Sequence, residues 1–343
     1  MALIARQCGL KRPWVAAAIF GVFPQTLRYA AESRTYAQAL FFSVVATYLY
    51  LRLARSPTPA AAAQYWLALT LAVYTQPYAI SVGVAHWICS MICRLGKTVL
   101  LCGLAVALAS IAFLPWFWWA HAAWAASNAT SGFQFAFSIR TPFMLFREFA
   151  GAGYFGSALL LLLWAGALPG SCIDKPKRML LVLLIASTPV MVLCADAAFG
   201  YFVAARQIIW ILPAVAILTA AAIECHPRVG WGLTALLAII CIRQSIVFYR
   251  SPGENWELAA MALAEQVREG NCLAVAPAEQ APLYEFFQPE LRTRPCRSGS
   301  IVLAITPAAT DAQERNALAR LVAAGHKVAR VKTVGRTRIV LFQ

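Results

Sequence analysis

The chain has 343 residues, 61% of them hydrophobic and only 13% charged. That balance excludes an ordinary soluble domain and describes a polytopic membrane protein with a soluble end. The formal net charge of +15 is not a nucleic-acid footprint, because much of it falls in short loops beside apolar runs, where Lys and Arg set topology.

Residues 1–10 are apolar but too short and too poorly patterned for a cleavable signal peptide; they resemble the tail of a longer helix. A first span is predicted to start at Pro13, a good first helical residue, and to run on towards Tyr29 in order to cross about 30 Å of hydrocarbon. The second covers residues 36–53. The apolar run 60–95 is too long for one helix and is split at Pro77 into a hairpin, 61–76 and 78–93. Residues 99–116 form a fifth span. The Trp-rich stretch 116–156 is expected to lie along the membrane surface, in part as interfacial helix, because tryptophan favours the headgroup level. Residues 157–168, 179–195, 207–223 and 231–247 complete about nine spans. Arg243 lies within the last of these, with no acid there to pair it.

Basic residues alternate along this map. With the N-terminus inside, the inner loops hold Lys11, Arg12, Arg52, Arg55, Arg94, Lys97, Lys175, Lys177, Arg178 and Arg228, and the outer short loops hold Arg28, Arg34 and Arg206. The positive-inside rule then places residues 250–343 outside. Here the pattern changes. Helical spacing over 254–269, 282–287 and 311–323 alternates with strand-like runs at 273–276, 301–306, 327–331 and 337–342, which predicts a small α/β domain. It has no glycine-rich phosphate loop. The predicted domains are therefore 1–249, transmembrane, and 250–343, extracytoplasmic α/β.

The ten cysteines form no metal pattern. Cys89 and Cys93 stand at i, i+4 with His86 one turn earlier, but buried cysteine ordinarily behaves as a small hydrophobe. No metal and no cofactor is expected. Cys272 and Cys296 are the only cysteines after the last span. An oxidising compartment and neighbouring parallel strands would allow them to pair; two unrelated thiols are the alternative.

The polar candidates for the outer face are few: Arg28, Glu32, Arg34, Gln76, His121, Arg140, Arg147, Glu148 and Arg206. Charge at a bilayer edge is costly, and an arginine there suits a lipid-linked phosphate, whose oxygens its planar fork bonds in pairs. Snorkelling to headgroups is the plain alternative for Arg206. Taken by spacing alone, 27–38 is a polar turn between two spans, anchored by Tyr29 and Tyr36.

Phe23-Pro24, then Arg28-Tyr29, then Glu32-Ser33-Arg34-Thr35-Tyr36 resemble a segment of the GT-C glycosyltransferases. The nearest branch holds the protein O-mannosyltransferases and the aminoarabinose transferases. Arg206, shortly before Ile211-Leu212-Pro213, resembles the family position where a basic residue precedes a proline-containing helix. Thr75-Gln76-Pro77-Tyr78 resembles a family cavity lining. The resemblance implies transfer of a sugar from a polyprenyl-phosphate donor to an unknown acceptor in a bacterial inner membrane. It implies Arg28, Glu32, Arg34, Tyr36, Gln76 and Arg206 as the residues handling the lipid phosphate, membrane lipids as surroundings, and no nucleic acid; protein partners stay unknown. The resemblance covers about residue 5 onward and begins around the third or fourth family helix. The family's first-loop aspartate thus has no counterpart here, and the catalytic residues are unknown. Glu32 makes a poor general base, since pairing with Arg28 or Arg34 would lower its pKa. A non-catalytic scaffold or lipid-handling subunit is the rival. A transporter is another, although Pro77 is the one helix break of the kind transporters carry in pairs.

Overall fold

Prolines set many of the helix boundaries in the first 250 residues. The computed structural model describes residues 1–31, 35–131, 141–168, 172–199, 205–250, 256–293, 300–307, 309 and 311–343. The chain divides into two compact units, Met1–Ser245 and Ile246–Gln343.

The first unit is helical: α1 (Ala2–Gln7), α2 (Pro13–Val22), α3 (Pro24–Ala31), α4 (Tyr36–Arg55), α5 (Pro59–Thr75), α6 (Ile80–Ile92), α7 (Lys97–Ser131), α8 (Thr141–Glu148), α9 (Gly153–Ala167), α10 (Lys175–Phe199), α11 (Leu212–Cys225) and α12 (Pro227–Arg250). Tight 3-10 turns, Pro77–Ala79 and Ala205–Ile211, precede α6 and α11. Among the described residues, five helical stretches are long and apolar enough to cross a membrane: Tyr36–Arg55, Lys97–Ala122, Lys175–Ala195, Arg206–Cys225 and Pro227–Arg250. A sixth arises if α8 and α9, bent by 81°, count as one broken span. The chain thus has the helices of a membrane protein; those of membrane length among the described residues are fewer than the nine spans expected.

Two reasons account for most of that difference. The first span does not run on as one helix. Pro24 disfavours helical backbone in the residue before it, and Phe23 is extended, at φ −59° and ψ 127°. The ten residues of α2 rise only about 15 Å, half the hydrocarbon thickness. Likewise α5 has 17 residues and α6 has 13. The break between these two falls at Gln76-Pro77, as the hairpin split predicts. The fifth span, by contrast, does not end at Trp116. Helix α7 continues through Pro115 to Ser131. An interior proline removes one hydrogen bond without ending the helix when strong helix formers follow, and alanine recurs at 120, 122, 123, 125 and 126.

Helix α11 is the core of the bundle. The stretch Arg206–Cys225 is 89% buried, against 22% for Pro227–Arg250. A small residue on α12 allows close approach to α11: a Cβ on Gly230 would come within 2.6 Å of the Ile223 Cα.

Polar contacts knit one end of the bundle together. Glu224, at the end of α11, accepts the backbone N–H groups of Lys11 (3.1 Å) and Arg12 (2.8 Å). These donors, at the start of α2, have no acceptor within the helix. The Arg55 guanidinium donates to the Gln7 carbonyl at 3.4 Å, and the Cys89 thiol to the Pro176 carbonyl at 3.6 Å. Cys172 and Cys225 form a disulfide across 53 residues. The helix ends joined here are those flanked by the ten cations of the inner-loop set.

The second unit holds α13 (Trp256–Arg268), β1 (Cys272–Ala276), α14 (Ala281–Phe287), α15 (Glu290–Thr293), β2 (Ile301–Ile305), α16 (Asp311–Ala323), β3 (Val328–Val334) and β4 (Thr337–Phe342). The sheet order is β1-β2-β4-β3. Strands β1 and β2 are parallel, which requires the crossover supplied by α14 and α15. Strand β4 runs antiparallel to both β2 and β3. Gly335, at φ +60°, opens the two-residue β3–β4 turn, where its left-handed backbone suits the twist of a hairpin. Alternation along the strands builds two cores. Val302, Ala304 and Ile339 face Leu263 and Tyr284 on one side; Leu303, Val340 and Phe342 face Leu318 and Leu321 on the other. The buried Tyr284 hydroxyl meets the Thr337 hydroxyl at 3.0 Å. Cys272 is disulfide-bonded; Cys296, the partner expected for it, lies outside the described residues.

Candidate functional site

The end of the bundle opposite the Cys172–Cys225 disulfide gathers the start of α4, the end of α3 and the two 3-10 turns. The turn Ala205–Ile211 packs against α3, α4, α10 and the turn Pro77–Ala79. Its position is fixed from within. Trp210 donates its indole N–H to the Ser81 hydroxyl at 3.0 Å, and Ser81 meets the Thr188 hydroxyl at 2.9 Å. All three side chains are buried. A satisfied polar chain between α6 and α10 orients the turn that carries Arg206.

Four side chains then stand in a row. The Arg28 guanidinium carbon lies 5.4 Å from the Tyr29 ring centroid. Tyr29 packs on Tyr36 at 5.2 Å, tilted by 58°. The Arg206 guanidinium carbon lies 5.9 Å from the Tyr36 centroid. Tyr29 is only 5% exposed, so the row is anchored through its centre. Each ring face attracts its arginine, and a guanidinium plane is of the kind that bonds phosphate oxygens in pairs.

An elbow between α8 and α9 forms a neighbouring wall. Gln25 of α3 donates to the Glu148 carbonyl at 2.6 Å. Gly151, at φ +74°, sits so close to Pro24 that a Cβ there would come within 2.9 Å of it. Arg147 and Glu148 form an ion pair at 2.5 Å, and the Arg147 guanidinium carbon lies 5.9 Å from the Tyr154 centroid. Between this elbow and α10 runs an apolar groove of about 260 Å³, lined by Phe146, Phe149, Trp164, Pro189, Ile208 and Ile211 among others. Ile208 and Ile211 belong to the turn that bears Arg206.

Of the six residues expected to handle lipid phosphate, the row unites Arg28, Tyr36 and Arg206. Gln76 ends α5 in extended backbone, at φ −153° and ψ 114°, next to the turn that packs on Ala205–Ile211. Glu32 and Arg34 lie outside the described residues, as does Arg140. His121 stacks on Phe117, with ring centroids 5.8 Å apart. Tyr29 and the Ser81–Trp210–Thr188 chain were not singled out as site residues. Tyr29 had a signal, since it stands inside the Arg28–Tyr36 segment; the chain joins residues 107 and 129 positions apart and had none. Among the described residues, no three His, Cys, Asp or Glu side chains gather closely enough to hold a metal ion.

Compared with family models, with curated proteins and with solved structures, the chain matches none. Its class is therefore defined by composition and fold: a helical chain with five or six membrane-length apolar helices and a small C-terminal mixed sheet.

Proposed function

We propose that this chain is a membrane glycosyltransferase of the GT-C type, which takes a sugar from a polyprenyl-phosphate donor. One observation carries the reading. The turn Ala205–Ile211 presents Arg206 beside Tyr36 and supplies Ile208 and Ile211 to an apolar groove. A cation joined to an apolar channel suits a ligand with a phosphate head and an isoprenoid tail. In this proposal Arg206 and Arg28 hold the leaving phosphate, where negative charge grows as the glycosidic bond breaks. The prenyl chain follows the groove between α8, α9 and α10. The row faces the periplasm of a bacterial inner membrane.

Transfer also needs a group to take the acceptor's proton. Glu148 is held in an ion pair by Arg147, so no residue is assigned as the base. The same ion pair favours the second reading, a lipid-handling subunit that binds the donor without transferring its sugar. The test is incubation of the protein in nanodiscs with a radiolabelled polyprenyl-phosphate sugar and a membrane extract as acceptor. Label appearing in the polar fraction supports the transferase. Donor binding without transfer leaves the lipid-handling reading, and absence of both ends the proposal.

A further inference from the structure

We propose that a second groove, between α2 and α12, is a site for one anionic diacyl phospholipid drawn from the surrounding bilayer. It goes beyond glycosyl transfer and rests only on the helical unit lying in a membrane. The groove has a volume of about 200 Å³ and is lined by Trp14, Ala18, Val22, Trp231, Ala235 and Ala238 among others, with no polar surface exposed in it.

Its shape follows from the sequence. On α12, Trp231, Thr234, Ala235, Ala238 and Cys241 recur at helical spacing and share one face. The alanines on that face, and Ala18 opposite, leave the space open. The lined stretch of α12 rises about 15 Å, enough for the first dozen or so carbons of an acyl chain. Trp14 and Trp231 are 61% and 40% exposed, so the groove opens sideways, and a lipid can enter without crossing the protein.

Charge chooses the headgroup. Lys11 and Arg12 immediately precede α2, and Arg228 lies one turn before Trp231 on the same face of α12. All three are exposed. Glu224, the nearest acid in sequence, already accepts the Lys11 and Arg12 backbone N–H groups, and those bonds draw the start of α2 to the α11–α12 turn. The mouth of an apolar groove is thus rimmed by three cations at the basic end of the bundle. A phosphate diester with an aliphatic chain matches both parts, and a zwitterionic headgroup matches only the groove. The site is distinct from the Tyr36–Arg206 row, which stands at the other end of the bundle.

The test is native mass spectrometry of the full chain in detergent, titrated with phosphatidylglycerol and with phosphatidylcholine of the same acyl chains. The wild type should retain one phosphatidylglycerol with about tenfold preference over phosphatidylcholine. The exposed-cation variant K11Q/R12Q/R228Q should lose that preference. Ala238→Trp, which fills the groove, should lower retention of both lipids at least fivefold; where this variant is misfolded, Ala235→Phe takes its place. Undiminished preference in the cation variant, or undiminished retention with the groove filled, overturns the proposal. Displacement of the bound lipid by inorganic phosphate alone would also overturn it, since the groove would then contribute nothing.

Discussion

The Arg206 guanidinium carbon lies 5.9 Å from the centroid of the Tyr36 ring, and Tyr36 leans in turn on the buried Tyr29. The arginine thus packs against an aromatic face. Tyr36→Phe should therefore preserve donor affinity, because the ring is kept. Tyr36→Leu should weaken it by roughly 2–5-fold, the value of an exposed cation–π contact of about 0.5–1 kcal/mol. Binding of a polyprenyl phosphate to the two variants in nanodiscs checks this. Equal losses in both would move the role from the ring to the hydroxyl.

The disulfides flank one helix. Cys172–Cys225 lies at the basic end of the bundle, before α12, and the disulfide-bonded Cys272 follows α12. If α12 crosses the membrane once, the two positions face different compartments, and disulfides persist only in the oxidising one. The proposed orientation puts the basic end in the cytoplasm. The Cys172–Cys225 pair of the structure should then stand reduced in intact cells, its two thiols labelled by a membrane-permeant maleimide, while Cys272 resists labelling until reductant is added. The converse pattern would invert the orientation and place the Arg206 row inside.

In the α/β unit, Tyr284 is fully buried, and its hydroxyl meets Thr337. Burial pushes its pKa up to about 12, with the Thr337 hydrogen bond acting in the opposite direction. A raised pKa in the folded state means that the folded chain holds this proton more tightly. The associated stability is complete below the ordinary tyrosine value near 10 and is lost as pH rises from there towards about 12. Tyr284→Phe should remove that alkaline loss. At neutral pH it should cost about 1–3 kcal/mol by leaving the Thr337 hydroxyl unpaired. Resistance of residues 256–343 to proteolysis in the full chain, followed against pH, checks both statements.

Much of the helical unit was legible wherever a proline or a charged cluster imposed a local rule. Pro77 marks a break in the backbone because its ring forbids the preceding residue from continuing a helix, and Thr75 does end α5. Pro24 acts by the same rule, but the need for a full-length span overrode it. Bundle packing around α11 gives the ten-residue α2 a place without requiring it to cross. The Trp-rich run after residue 116 is partly helical, as expected, but it continues the fifth span's helix without a break at Trp116, because composition tells where a segment prefers to lie and alanine tells whether it stays helical. Strand periodicity placed β2 and β4 to within a residue. The Cys172–Cys225 disulfide was not legible, since spacing alone does not reveal a pairing across 53 residues. Of the site, Arg206 and Tyr36 stood out by residue type at a membrane edge; the polar chain that orients their turn depends on tertiary packing.

The central claim is that Arg206 holds a lipid-linked phosphate. The most direct measurement is the equilibrium affinity of the full chain in nanodiscs for a polyprenyl phosphate, wild type against Arg206→Ala. Loss of a charge-assisted hydrogen bond worth roughly 1.5–3 kcal/mol predicts an affinity lower by about 10–150-fold, with the amount of folded protein unchanged. Affinity equal to that of the wild type would contradict the account and leave Arg206 as a headgroup anchor.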